Sequence, residues 1–266
     1  MSEVLLSRDG HVATITLNRP DRLNAISGPM LVGLARMLVD CDADRDLRVI
    51  VLTGAGRGFC SGLDLQDVAA GQGIGSGGGE GEEGGGGGGF RIDDTPPFVL
   101  RRLDTPVLCA LNGPAAGYGM DLALGCDLIV ASDAASFVPP TRRGVIPESG
   151  GTWLLPRLVG WQKACEITFL GRKLDAGEMQ RLGLVNLVVP AAELDRTAGE
   201  WAQELASQAP LAIKAAKRTM RLGLDTTFDA NAHHVMAELT GLFRTKDFAE
   251  AVNAFMEKRT PDYQGR

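Results

Sequence analysis

The sequence predicts an α/β fold that ends in a helical part. Up to residue 189, apolar runs of strand length alternate with segments of helical spacing; from residue 191 onward helical segments follow one another with no strand between them. Size agrees, because 266 residues, 44% hydrophobic and 23% charged, describe a globular chain of one or two domains that can bury about 73% of its unfolded surface.

The elements follow in order. Ala13, Ile15 and Leu17 alternate with polar neighbours over residues 12–17, which reads as a half-buried strand stopped by Asn18-Arg19-Pro20. Over residues 29–42, Leu31, Leu34, Leu38 and Cys41 recur at helical spacing, and residues 49–52 form a continuous apolar strand ending at Thr53-Gly54. The unit then recurs: a strand over 107–111 ending at Asn112-Gly113-Pro114, a helix over 120–124 and a strand over 128–131. Strands joined through helices are expected to lie parallel. A strand over 184–189 closes the series, and helices are expected over 191–208, 211–222, 227–242 and 247–259. The resulting division is a core over 1–190 and a helical subdomain over 191–266. Residues 71–89 hold 13 of the 35 glycines with three glutamates and one isoleucine. Such a composition cannot offset its ordering entropy by burial, so a flexible insert is expected there.

Charge and cysteine usage exclude several classes. With 27 basic and 33 acidic side chains the net charge is −6, which argues against a nucleic-acid surface but leaves room for a local basic patch facing a phosphorylated small molecule. Cys41, Cys60, Cys109, Cys126 and Cys165 are odd in number and widely spaced; no disulfide framework or metal-ligand spacing results, and a reducing, cytoplasmic setting is expected. The first residues carry no basic and apolar leader pattern and no run of 18 apolar residues occurs, so neither secretion nor a membrane partner is expected.

Two glycine-rich turns carry the chemistry. They are TGAGRGFCSGLD, residues 53–64, and NGPAAGYGMD, residues 112–121. Neither fits GxGxxG in register nor GxxxxGK[ST], which disfavours a nucleotide phosphate loop. Together with LNRPDRLNAI at 17–26, IPESGGTWLLPRLVG at 146–160 and FMEKRTP at 255–261, they resemble the crotonase (enoyl-CoA hydratase/isomerase) superfamily, five segments in that family's order along nearly the whole chain. The resemblance implies a spiral of ββα units with a C-terminal helical trimerisation part, a homotrimer or dimer of trimers, an acyl-CoA thioester as substrate, and no cofactor beyond the coenzyme A that the substrate carries.

It also implies roles. The backbone amides of Leu63 and Tyr118 fall where the family grips the thioester oxygen while an enolate forms, and a preorganised donor of that kind supplies about 2.7 to 4 kcal/mol. Gly62 and Gly117 let the backbone approach the substrate. Tyr118 replaces the glycine usual in the family; its bulk is expected to narrow the pocket, and its side chain to take no part in the chemistry. Of the two glutamates of family hydratases, one falls on Asp121 and the other on or next to Thr141, which is no acid or base near neutrality. Glu148 occupies the position where some family isomerases and a related dehalogenase place their working carboxylate. One base suffices to move a double bond from Δ3 to Δ2, so Glu148 is the expected proton shuttle. Hydration of a 2-enoyl-CoA by Asp121 and Glu148 is the alternative, and a non-catalytic acyl-CoA-binding homologue the alternative of another class; as purely structural residues both acids would compensate the dipoles of their helices. Arg22, Arg57 and the pair Lys258 and Arg259 match positions near coenzyme A, where cations suit phosphate. Cys60 is expected to be a packed side chain, His11, His233 and His234 surface residues, and Trp153, Leu154 and Leu155 core or acyl-pocket residues.

Overall fold

The computed structural model describes residues 2–64, 66 and 92–266; the glycine-rich segment over 71–89 lies outside the described residues. A six-stranded sheet runs in the order β1 (Val4–Asp9), β2 (Val12–Leu17), β3 (Val49–Gly54), β4 (Val107–Leu111), β6 (Leu128–Ser132), β9 (Leu187–Val189). β1 is antiparallel to β2 and every later pair is parallel, with Val12 opposite Val49, Ile50 opposite Val107 and Leu108 opposite Leu128. A smaller sheet joins β5 (Pro114–Ala116), β7 (Ser136–Val138) and β8 (Leu174–Asp175).

Helix α1 (Gly28–Ala43) starts where the Ser27 hydroxyl accepts from the Met30 amide, and it buries Leu31, Leu34, Leu38 and Cys41, the stripe read from the sequence. With α2 (Pro96–Leu100) and α3 (Tyr118–Leu124) it covers one face of the sheet, around Ile15, Leu17, Ile50, Leu52 and Cys109. The opposite face, Val12, Val49, Val51, Leu108 and Val130, is covered by α7 (Leu194–Ser207) through Leu194, Ala198, Ala202 and Ala206. These four recur every four residues, which puts them on one side of the helix. The first helix after residue 190 is thus packed on the sheet.

Along the chain β7 is followed by α4 (Gly151–Val159) and α5 (Trp161–Leu170), and β8 by α6 (Ala176–Arg181). Beyond α7 come α8 (Pro210–Gly223), α9 (Phe228–Leu242) and α10 (Lys246–Glu257). Thr227 and Thr245 cap the last two by accepting from Ala230 and Phe248.

Three readings change. The expected strand over 184–189 is only Leu187–Val189, because the Leu184 amide bonds the Met179 carbonyl and keeps that stretch in a turn after Gly183. The helix expected over 191–208 opens with a turn of 3₁₀ helix, Ala191–Glu193. Strand β1 was not expected, since five of its six residues are exposed and give no apolar alternation.

Candidate active site

The two glycine turns pack against each other. Phe59 and Cys60 donate to the Pro114 carbonyl at 3.1 and 3.3 Å, and Ala116 donates to Cys60 at 2.9 Å. Gly62, at φ 99°, is pressed so closely that a Cβ there would lie 2.9 Å from the Ala116 oxygen and 3.7 Å from the Tyr118 amide nitrogen. A Cβ at Gly119 would meet the Cys60 carbonyl at 2.3 Å. Both positions therefore require glycine. On the other edge of the first turn, Ile26 donates to Gly62 and Asp64 donates to Ile26, at 2.8 and 3.0 Å. In such a parallel bridge the residue between those partners turns its own N–H to the opposite side, so the Leu63 amide faces away from Ile26. Tyr118 opens α3 with Gly117, φ 50°, as its cap, and the first amide in this turn to bond back is that of Asp121, to Gly117 at 3.1 Å.

Polar braces that were not anticipated hold the first turn. Asn24, fully buried at φ 55°, donates from Nδ2 to Ala55 and Gly58 at 3.0 and 2.8 Å and accepts from the Arg19 amide at 2.8 Å. Asn112 accepts from Gly54 at 3.2 Å and donates to Gly56 and Gly58 at 2.9 and 3.2 Å. Arg19 pairs with Asp64 at 3.0 Å and Glu3 at 3.2 Å. Burial works to raise the Asp64 carboxyl, but the Gln66 amide and Arg19 hold it below its ordinary range. The available signal was an Asn before two turns, since Asn tolerates left-handed backbone and presents both a donor and an acceptor.

The carboxylates meet beneath the second turn. Asp121 is fully buried and its Oδ2 accepts from the Ser149 amide at 2.9 Å, which ties α3 to the segment carrying Glu148. Asp121 Oδ1 makes no hydrogen bond of full geometry among the described residues, although Gly151 lies against it and its amide favours the charged carboxylate. Burial pushes this carboxyl up to about 7, opposed by the Ser149 and Gly151 amides and reinforced by the charge of Glu148. Glu148 is exposed, and partial burial of its carboxyl raises it against the pull of its own amide. The Thr141 hydroxyl donates to the Thr168 carbonyl at 2.5 Å. Burial pushes the Cys60 thiol up to about 12, so it stays protonated. The Tyr118 ring is turned into the apolar core beneath α3.

Beside Ser149 and Gly150 opens a cavity of about 550 Å³, walled by Leu100, Trp153, Leu154 and Met220. Trp153 stands between the guanidinium groups of Arg101 and Arg157, 3.9 and 3.8 Å from its ring centre. Leu155 is core. Of the expected cations, Arg22 and Arg57 are exposed on segments in contact, since the 3₁₀ turn Pro20–Arg22 lies under Gly56 and Leu23 under Gly58. Lys258 ends α10 at φ 54°, exposed. Arg259, expected beside it as a phosphate ligand, is bonded within the chain to Glu250 and Glu257. His11 bonds the Asp46 carbonyl, and His233 and His234 are exposed on α9.

The arrangement has close counterparts among solved structures. An enoyl-CoA hydratase from Bacillus anthracis superposes with a TM-score of 0.87 at 32% identity, over 99% of this chain and 100% of that one, and one from Mycobacterium tuberculosis superposes with 0.87 at 31% identity over the whole of both chains; the fold is that of the crotonases. Residues 7–266 match the enoyl-CoA hydratase/isomerase family model, and the chain belongs to that family of enzymes. It is 38% identical to a 1,2-epoxyphenylacetyl-CoA isomerase and 34% identical to a 2,3-dehydroadipyl-CoA hydratase, both from Escherichia coli and both over the full length of either chain.

Proposed function

We propose that this enzyme acts on an unsaturated acyl-CoA, holding the thioester oxygen between the amides of Leu63 and Tyr118 and moving a double bond from Δ3 to Δ2 with Glu148 as the single base. The observation that carries the reading is the contact of the two turns at Gly62 and Tyr118 beside the segment of Glu148. Glu148 takes a proton from C2, the electrons delocalise into the thioester as an enolate, and the same carboxyl returns the proton at C4, so no water or further acid is consumed. Its raised affinity for protons brings it nearer to working pH. Thr141 spends its hydroxyl on a backbone carbonyl and Asp121 is closed off from solvent, which supports one working carboxylate.

Arg22, Arg57 and Lys258 are the proposed coenzyme A contacts, the last toward the nucleotide held by a neighbouring subunit. The acyl group enters the cavity beside Trp153, whose size is typical of small-molecule sites. We place the enzyme in the cytoplasm as a homotrimer or a dimer of trimers.

Hydration of a 2-enoyl-CoA is the second reading. It is favoured by the position of the Asp121 carboxyl near 7, next to Glu148. Side-by-side assays with a 2-enoyl-CoA and a 3-enoyl-CoA, in deuterated water, separate the two. Bond migration with label at C2 or C4, stopped by Glu148→Gln, is the expected result. Hydration alone, giving a 3-hydroxyacyl product that persists in Glu148→Gln with no bond migration, would refute isomerisation, and tight binding of acyl-CoA without exchange would make the chain a binding protein.

A further inference from the structure

Asp121 is sealed from solvent, yet both of its oxygens face one place, the start of α4. Oδ2 accepts from the Ser149 amide at 2.9 Å. Oδ1 lies against Gly151, where a Cβ would overlap it and come within 2.9 Å of Cγ. Gly150, the cap residue of α4, has no side chain to offer, so a carboxyl carried by α3 takes the cap's place from outside, where negative charge suits a helix start. The amide it holds is next to Glu148. That residue lies on a stretch between Gly144 and Gly150, φ 80° and 115°, along which Val145, Ile146 and Glu148 are exposed. Among the described residues, the bond from Ser149 to Asp121 is the hydrogen bond that ties positions 145–149 to anything beyond their adjoining turns. Asp121 is itself fixed to the second glycine turn, its amide bonded to the Gly117 carbonyl at 3.1 Å, three residues after Tyr118.

We infer that Asp121 is a positioning residue: by gripping the Ser149 amide it fixes the spacing between the Tyr118 amide and the Glu148 carboxylate, keeping the hold on the thioester oxygen and the proton shuttle in register. The inference rests on the isomerase reading. It gives Asp121 no contact with substrate, whereas in the hydration reading its carboxyl exchanges a proton there. Register matters because the enolate oxygen and the proton at C2 belong to one conjugated, planar fragment. A base displaced by about 1 Å from that fragment loses on the order of a hundredfold in rate while binding changes little.

Asp121→Ala removes the acceptor, whereas Asp121→Asn keeps a carbonyl oxygen for Ser149 and loses the ability to exchange a proton. With a 3-enoyl-CoA, Asp121→Ala is expected to lower kcat on the order of a hundredfold with KM within about threefold, and Asp121→Asn to recover most of that loss. Asp121→Asn as inactive as Asp121→Ala would overturn the inference, because a reacting acid is lost in both; so would a loss confined to KM. A second readout needs neither substrate nor turnover: amide hydrogen exchange at residues 145–151 in the free protein. Ser149 is expected to be protected in the wild type and in Asp121→Asn, and to exchange roughly tenfold faster in Asp121→Ala, the size of one hydrogen bond, with α3 unchanged. That pattern supports the tether even where the wild type moves no double bond; equal protection of Ser149 in Asp121→Ala refutes it. Should Asp121→Ala not fold, Asp121→Asn decides: turnover largely kept with Ser149 protected supports the inference, and turnover abolished with Ser149 still protected refutes it.

Discussion

Asp121 is a carboxyl that folding penalises for being charged, and this has a measurable sign. Its folded value of about 7 lies above the ordinary 3.8. Below about pH 4 both states carry the proton and nothing is lost; between about 4 and 7 the unfolded chain ionises while the folded one resists, so this residue's contribution to stability declines as pH rises. Chemical denaturation of wild type and Asp121→Asn across that window is expected to show the wild type losing ground, by at most a few kcal/mol; parallel curves would contradict it. The sequence marked Asp121 and Glu148 by motif alone. That the first is sealed and the second exposed depends on the Ser149 amide reaching across 28 positions, which no local pattern records.

At the scale of elements, the strands and helices that bury a regular stripe were legible: α1, β3, β4 and α8 lie within a residue or two of their expected bounds. The glycine turns were legible for the same reason, because close backbone approach leaves glycine as the residue that fits. The short strands β5, β7 and β8, two or three residues each, carry too few side chains to form a pattern, and the braces Asn24, Asn112 and Arg19 act across 31 to 58 positions. Asn24→Ala removes two hydrogen bonds to the first turn, at Ala55 and Gly58, and one accepted from the Arg19 amide. It is expected to cost about 2 to 4 kcal/mol in urea denaturation and to lower turnover more than binding, since the Leu63 amide loses its fixed aim; full activity would show that the turn holds itself.

For the whole molecule, the resemblance carried the fold, and the composition could not, because acidic α/β chains of this size are common. α9 buries none of its residues within the chain, and Phe228, Met236, Phe243, Phe255 and Met256 are more than half exposed around α9 and α10. Such faces are costly in a monomer. Phe228→Asp combined with Phe255→Asp is expected to dissociate the proposed trimer in sedimentation velocity; a wild-type monomer would remove the case for shared nucleotide contacts at Lys258. The sheet raises a different matter, one of timing. Strands β2, β3, β4 and β6 are complete by residue 132, whereas the helix that covers their valine face begins at Leu194 and ends at Ser207. During synthesis that face emerges more than 60 residues ahead of its cover. A nascent chain paused there would offer an open, water-averse plate to chaperones or to its neighbours on the polysome, so yield in the cell should depend on how fast the ribosome reaches the four-residue ladder of α7.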